Sequence, residues 1–291
     1  MTEILKGKPV ADMIKADMTK KIEAFRAKGI APKIAVVRLG EDPSDISYEK
    51  AILKVSASLN IDSEVFNIPR ESTTEELLAL MDKLNNDTKI HGILVFRPLP
   101  KQIDAERVVN FINPDKDIDC MNPINLEAIF EGKKDSFEPA TPRAAVEILG
   151  RTGYDYQGKN VAIINRSMVV GKPLAMMLLN ENATVTICHS KTKDLKAVCK
   201  SADVVFTALG RAKMLDKSYF NEDSIVIDVG VSMDKEGKIS GDADYDALVD
   251  YVAKITPVPG GVGSITTTIL LNQVLKAVEK QNKGCIISIG E

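Results

Sequence analysis

The stretch NRSMVVGKP, residues 165–173, joins an apolar run of strand length, NVAIIN, to a helical pattern that opens at Pro173. A loop in this setting offers unpaired backbone N–H groups and the positive end of a helix dipole, which together favour an anion. It lacks the GxGxxG spacing, so on pattern alone Val170 and Gly171 serve either a diphosphate-binding turn or an ordinary helix start. The next strand, ATVTICHS, ends in His189, Ser190 and Lys191. An acid that reads ribose hydroxyls often ends that strand in dinucleotide-binding folds; here there is none. Arg166, Ser190 and Lys191 suit a phosphate instead, or form a solvated basic rim. The loops ALGR (208–211, with Gly210), VGVS (229–232, with Val231) and TPVPGGVG (256–263, with Pro259, Gly260 and Gly261) all follow predicted strands. Open parallel sheets hold ligands at those ends, and glycines there either let backbone approach a ligand or form a mobile turn.

A second group lies earlier, in PSDISYEKAILK, residues 43–54. Read as a helix, it places Ile52 on the face of Tyr48, four residues on. Lys50 is about 200° round from Tyr48 and Lys54 about 120° away, so neither amine is its natural partner.

The elements that must position these residues alternate. Helix-spaced apolar residues over 8–28 precede strands at 33–39, 63–68 and 92–96, with helices at 44–58, 73–85 and 104–112 between and after them. Residues 113–142 are rich in prolines and polar side chains around a short helix near 125–131, and read as a bridge between domains. A helix starting at Pro142 and a second alternating series follow, with strands at 160–165, 183–190, 203–210, 224–230 and from 251, and a last helix over 265–281. Alternation of this kind predicts α/β architecture with mostly parallel sheets covered on both faces.

Composition narrows the function classes. The chain is 44% hydrophobic and 27% charged with net charge -3, which argues for a folded globular protein without a nucleic-acid surface. There is no tryptophan, so stacking platforms for single strands are not expected. No segment has the length of a membrane span and the N-terminus lacks a signal-peptide core, which predicts a cytoplasmic protein. Cys120, Cys188, Cys199 and Cys285 form no CxxC pair, and Cys188 beside His189 lacks a second ligand pair, so no metal is expected and Cys188 reads as a buried strand residue.

Taken in order, GEDPSDISY (40–48), GILVFRPLP (92–100), NPDKDIDCMNPIN (113–125), PATP (139–142), NRSMVVGKP, CHSKT (188–192), IDVGV (227–231), GDADY (241–245) and TPVPGGVGSITTTILLNQ (256–273) resemble the methylenetetrahydrofolate dehydrogenase/cyclohydrolase family over nearly the whole chain. The resemblance implies two α/β domains. An N-terminal folate-binding domain would span 1–142, with the helix 265–281 packing back on it, and a Rossmann-type NAD(P)-binding domain would span 143–264. It implies tetrahydrofolate one-carbon derivatives as substrates, NAD or NADP as cofactor, and a homodimer. By resemblance Tyr48 stacks along the folate and Asp119 hydrogen-bonds the pterin. Pro259, Gly260, Gly261 and Ile265 line the same site. Asn165, Arg166, Ser167, Val170, Gly171, His189, Ser190, Lys191, Gly210 and Val231 meet the cofactor. From the residues themselves, Tyr48 equally suits helix-start packing, and Asp119, two after Asp117, equally suits capping a turn.

The departures from the family pattern are specific. Bifunctional members carry a lysine four residues after the tyrosine, where this chain has Ile52. They carry a glutamine in an LVQLPLP motif, where it has Phe96 followed by Arg97. Lysine and glutamine serve the hydrolysis of the methenyl product, and isoleucine and phenylalanine neither donate nor accept a proton. The expectation is a dehydrogenase whose cyclohydrolase activity is lost or very weak, working alongside a separate cyclohydrolase. The alternatives are a bifunctional enzyme in which Lys50 or Lys54 reaches inward, a catalytically silent folate- or nucleotide-binding regulator, and another α/β dehydrogenase of the shikimate type. NRS with VVG resembles the NAD-linked single-activity branch, whereas the basic residues favour NADP.

Overall fold

A computed structural model describes residues 1–282; Cys285 lies outside the described residues. The chain divides into two units. Among the described residues one holds Met1–Met13 and Pro139–Thr266, and the other Ile14–Glu138 with 267–282. The expected boundary at 142/143 falls inside the helix Ala140–Gly150, and the chain instead divides ahead of it, at Pro139. The first thirteen residues also belong with the second stretch, not with the N-terminal one. The cause is the strand Glu3–Ile4, which pairs in parallel with Lys254–Ile255. At two residues it is too short to show a period in sequence.

In the first unit six parallel strands run in the order Glu3–Ile4, Lys254–Ile255, Ile225–Asp228, Val204–Thr207, Asn160–Ile164, Thr184–Cys188. The middle strands Val204–Thr207 and Ile225–Asp228 are buried along their whole length, as a sheet covered on both faces requires. Helices Ala140–Gly150, Gly171–Asn180 and Leu195–Ser201 accompany them. The last of these is not predicted from the sequence, and the antiparallel hairpin of Ser232–Met233 with Ile239–Ser240 is too short for a periodic signal.

In the second unit Lys33–Leu39 is the centre of a three-stranded parallel sheet, between Asp62–Ile68 and Gly92–Val95. Thr73 and Glu76 form a reciprocal capping box at the start of Thr74–Asn86. The helix Pro43–Ser58 is capped by Asp42 and has a proline in its first turn. Its buried residues Glu49, Ile52 and Ser56 recur at helical spacing. Glu49 accepts from Arg38 Nε at 2.8 Å in a buried ion pair that fixes the rotation of the helix against the central strand. The helix Thr266–Gln281 crosses the unit boundary after its first residue. Within the second unit a Cβ added at Gly92 would meet Ile118 Cγ2 at 2.7 Å and Val274 Cγ2 at 3.3 Å, so only glycine lets strand, turn and helix close.

Buried carboxylates fold the loops at the strand ends. Asp242 accepts from the backbone N–H of Leu209 and Arg211 and from the Thr207 hydroxyl. Asp228 accepts from the N–H of Gly230 and Ala243. The two acids interlock with glycines: a Cβ at Gly230 would lie 2.2 Å from the Asp242 carboxyl carbon, and one at Gly241 2.1 Å from Asp228 Oδ2. Burial pushes the Asp228 carboxyl up to about 7, against the Ala243 N–H that holds it down and with the Asp242 charge beside it.

Two outcomes follow from this packing. Gly92→Ala overpacks a closed contact and should cost about 1–3 kcal/mol, read as a lower urea midpoint at unchanged slope. Asp228 titrates near 3.8 when unfolded and near 7 when folded, so between those values the folded chain holds the extra proton. Its contribution to stability therefore falls as pH rises through that window. Asp228→Asn removes the titration, and the stability lost between about pH 5 and 7.5 should shrink by on the order of 1–3 kcal/mol. A stability loss between the two pH values that is the same in the variant, read by urea titration, would mean that Asp228 is ionised throughout.

Candidate functional site

The second unit brings Tyr48, Phe96 and Asp119 together. Tyr48 lies on the exposed margin of its helix, and its ring is tilted against that of Phe96, with centroids 5.5 Å apart. Phe96 continues the strand Gly92–Val95, its N–H donating to Val37 O at 2.9 Å, and its side chain is buried. Burial, and after it the Asp119 charge, push the Tyr48 phenol up to about 12, so it is a neutral donor at physiological pH. Ile52, one turn beyond Tyr48, is completely buried, while Lys50 and Lys54 are exposed.

The turn that presents Asp119 is capped by Asp117, not by Asp119. Asp117 is fully buried and accepts from the N–H of Met121 and Asn122 and from Asn125 Nδ2, at 2.8 to 3.0 Å. Cys120 takes a positive φ of 55° to close the turn. Asp119 is left to pair with Arg97, whose Nη2 donates to Oδ2 at 2.6 Å. Arg97 is a residue that the sequence reading passed over, although an arginine next to a site aromatic is the signal that could have marked it. Burial raises the Asp119 carboxyl and the Arg97 charge opposes that shift.

In the first unit Asn165 organises the loop after its strand. Its Oδ1 accepts from the Ser167 N–H and hydroxyl, both at 2.8 Å, and from the Gly171 N–H at 3.0 Å, while Nδ2 donates to Ala208 O at 2.6 Å. The Val170 N–H donates to the Ser167 hydroxyl. A Cβ at Gly171 would sit 2.1 Å from Asn165 O, so the residue must be glycine. Arg166 is exposed. At the neighbouring strand end His189 Nδ1 accepts from the Lys191 N–H, which places any neutral-ring proton on Nε2, and Ser190 and Lys191 are exposed. Gly210 is exposed at φ 66°.

Val231, Pro259, Gly260 and Gly261 line one cavity of about 460 Å³, with Thr141 and Asp228. The last two were missed from sequence, because their approach depends on how the chain returns to this edge. The Gly7 N–H donates to Gly260 O at 2.8 Å, and a Cβ at Gly7 would lie 2.1 Å from Gly261 O, so the N-terminal segment braces the glycine loop. Ile265 is fully buried and does not line this cavity; its side chain packs in the interior. Among the described residues no group of histidine, cysteine and acidic side chains is placed to hold a metal ion, and no helix is long and apolar enough to cross a membrane. Cys188 is a buried strand residue.

Two family models match this chain. The catalytic domain of tetrahydrofolate dehydrogenase/cyclohydrolase matches residues 5–119, and the NAD(P)-binding domain of the same family matches 139–282. A curated relative from Clostridium botulinum (strain Langeland), "Bifunctional protein FolD", is 51% identical over 97% of this chain and 100% of its own length. The crystal structure of the bifunctional FolD methylenetetrahydrofolate dehydrogenase/cyclohydrolase from Campylobacter jejuni superposes with a TM-score of 0.93 at 37% identity, covering 96% of this chain and 99% of that one. The Trypanosoma brucei N5,N10-methylenetetrahydrofolate dehydrogenase-cyclohydrolase, solved with NADP cofactor and inhibitor, gives 0.89 at 30% identity, over 96% and 98%. With the parallel sheets, the glycine loop and the Tyr48–Asp119 patch already in place, these matches establish that the chain belongs to the tetrahydrofolate dehydrogenase/cyclohydrolase family.

Proposed function

We propose that the chain converts 5,10-methylenetetrahydrofolate reversibly to 5,10-methenyltetrahydrofolate, passing a hydride to NAD(P)+, and that it hydrolyses the methenyl product poorly or not at all. The observation that carries the second half is Ile52. It is sealed in the core four residues after Tyr48, where the family pattern given by resemblance has a lysine, and Phe96 is buried at that pattern's glutamine position. Hydride transfer depends on alignment and on the local field, with the lone pair of the bridging nitrogen expelling the hydride, and needs no protein base. Hydrolysis needs proton movement, typically worth 10²–10⁴-fold.

In this reading Tyr48 lies along the folate ring and Asp119 accepts from its amino edge. In the first unit, backbone at Pro259, Gly260 and Gly261 lines a cavity that suits a ligand. Asn165, Ser167, Val170 and Gly171, with His189, Gly210 and Val231, would hold the dinucleotide, which would supply the hydride acceptor. The glycine approach at 171 and the cavity at 259–261 suit such a ligand. The chain's residues bind and orient. Arg166, Ser190 and Lys191 face a ribose 2′-phosphate if NADP is used. The protein works as a cytoplasmic homodimer, and a separate cyclohydrolase consumes its product.

A second reading, a bifunctional enzyme, is favoured by the printed names of the relatives from Clostridium botulinum and Campylobacter jejuni. Purified methenyltetrahydrofolate without nicotinamide separates the two. Its absorbance should decay at the enzyme-free rate, while the same preparation turns over methylenetetrahydrofolate with NAD or NADP. Strong enzyme-dependent decay would sink the single-activity reading and make Lys50 and Lys54 the next candidates. Absence of any turnover would leave the silent regulator.

Cofactor choice has its own test. Arg166→Ala should lower the NADP-to-NAD ratio of kcat/KM by about 10-fold or more if the guanidinium meets a 2′-phosphate, since a charge-assisted hydrogen bond is worth roughly 1.5–3 kcal/mol. Equal losses with both cofactors would assign it to the diphosphate or to packing.

A further inference from the structure

Arg97 follows the strand Gly92–Val95 and turns its guanidinium onto Asp119, with Nη2 to Oδ2 at 2.6 Å. The contact is neither sealed nor fully solvated: the arginine side chain keeps 37% of its exposure and the aspartate 24%. A guanidinium carries five N–H donors in a rigid fork, and the single hydrogen bond to Asp119 leaves the others open to water. Beside this pair lie the Tyr48 and Phe96 rings. The patch therefore offers the exposed Tyr48 ring, tilted against a buried Phe96, with an anionic acceptor and a cationic donor near it.

That pattern has a chemical complement. The pterin ring of a reduced folate presents its 2-amino and N3–H donors next to a 4-oxo acceptor. A carboxylate alone reads the two donors and ignores the oxygen. A guanidinium adjacent to the carboxylate reads the oxygen as well. We propose that Arg97 is a substrate-specificity residue, which donates to the 4-oxo group of the folate ring while holding Asp119 in place for the amino edge. The inference rests on the folate reading above and adds to it a contact that discriminates between ring types. A 4-amino ring would turn donors toward the guanidinium and be rejected, because a buried site built for one hydrogen-bonding pattern leaves its groups unpaired with the other.

Arg97 also sets the charge state of its partner. The groups facing Asp119 are Arg97 from the strand end, Tyr48 from the helix Pro43–Ser58, and Asp117 and Cys120 from its own turn. Arg97 is the one cation among them. Without it, burial and the Asp117 charge are left to favour the protonated carboxyl, which no longer accepts from the amino edge.

The experiment compares the affinity of the whole chain for tetrahydrofolate and for 4-amino-4-deoxytetrahydrofolate, by calorimetric titration from about pH 5 to 8. The unaltered chain should prefer the 4-oxo compound. Arg97→Met should lower that preference by about 10-fold or more, and its affinity for tetrahydrofolate should fall more steeply as the pH is lowered than that of the unaltered chain. Arg97→Lys keeps the charge and loses the fork, so it should retain the pH profile while losing much of the preference. That variant keeps the test decisive if Arg97→Met melts early. Ratio and pH profile both unchanged in a folded variant would overturn the role of Arg97 and leave the folate reading standing. An unaltered chain that binds neither compound would remove the folate reading, and this inference with it.

Discussion

Parallel strands end by pointing their backbone groups at the edge where ligands lie, and the loops that leave them cannot stay unsatisfied beneath a site. In this chain a short polar side chain takes those N–H groups at each critical turn. Asn165 gathers Ser167 and Gly171, Asp242 gathers Leu209 and Arg211, Asp228 gathers Gly230 and Ala243, and Asp117 gathers Met121 and Asn122. Every side chain discussed at the candidate site is held by one of these turns or by the element beside it. Glycines at 171, 230 and 241 belong to the same constraint, since a Cβ at any of them would strike the very group that holds the turn. The cost is burial of carboxylates, offset by charge-assisted hydrogen bonds to backbone.

This arrangement separates structural acids from available ones. Asp117 and Asp119 are two residues apart, yet the first is locked by three donors and the second has one oxygen on Arg97 and partial access to water. A carboxylate free to exchange partners is what a ligand with donor groups needs. In the neighbouring helix the Arg38–Glu49 pair settles which residues point inward, and that rotation carries Ile52 into the core. A lysine at 52 would be drawn toward the same apolar surroundings, with its ammonium needing a partner or a path to water. The local packing is therefore of one piece with an apolar residue there.

Periodicity made most of the architecture legible. The helices Pro43–Ser58 and Thr74–Asn86 and the strands Lys33–Leu39, Asn160–Ile164 and Val204–Thr207 follow from spacing. The two-residue strands Glu3–Ile4, Ser232–Met233 and Ile239–Ser240 were not legible, because so short a run cannot display a period. The strand Glu3–Ile4 is the costly omission, since it assigns the N-terminus to the other unit and sets Gly7 against the glycine loop. At the site the residue types were readable and their partners were not. Nothing in KDID tells which aspartate caps the turn, and nothing in FRPLP says that the arginine bends back to a residue 22 positions later. Such pairings depend on how the turns close in three dimensions.

The chemistry of the proposed reaction fits the kind of cation this patch retains. An amine near neutrality both gives and takes protons, which hydrolysis requires. A guanidinium stays protonated under all physiological conditions and gives only hydrogen bonds and field. A bare positive charge near the one-carbon bridge would oppose formation of the methenyl cation. Paired with Asp119 at 2.6 Å, the Arg97 charge is largely cancelled at a distance while its donors remain directional at contact. In the proposed reading, a patch with neutral Tyr48, apolar Phe96 and Ile52, and an internally compensated ion pair aligns a folate and leaves its carbon to lose hydride. No amine stands at position 52 in that reading to move the protons that water attack demands.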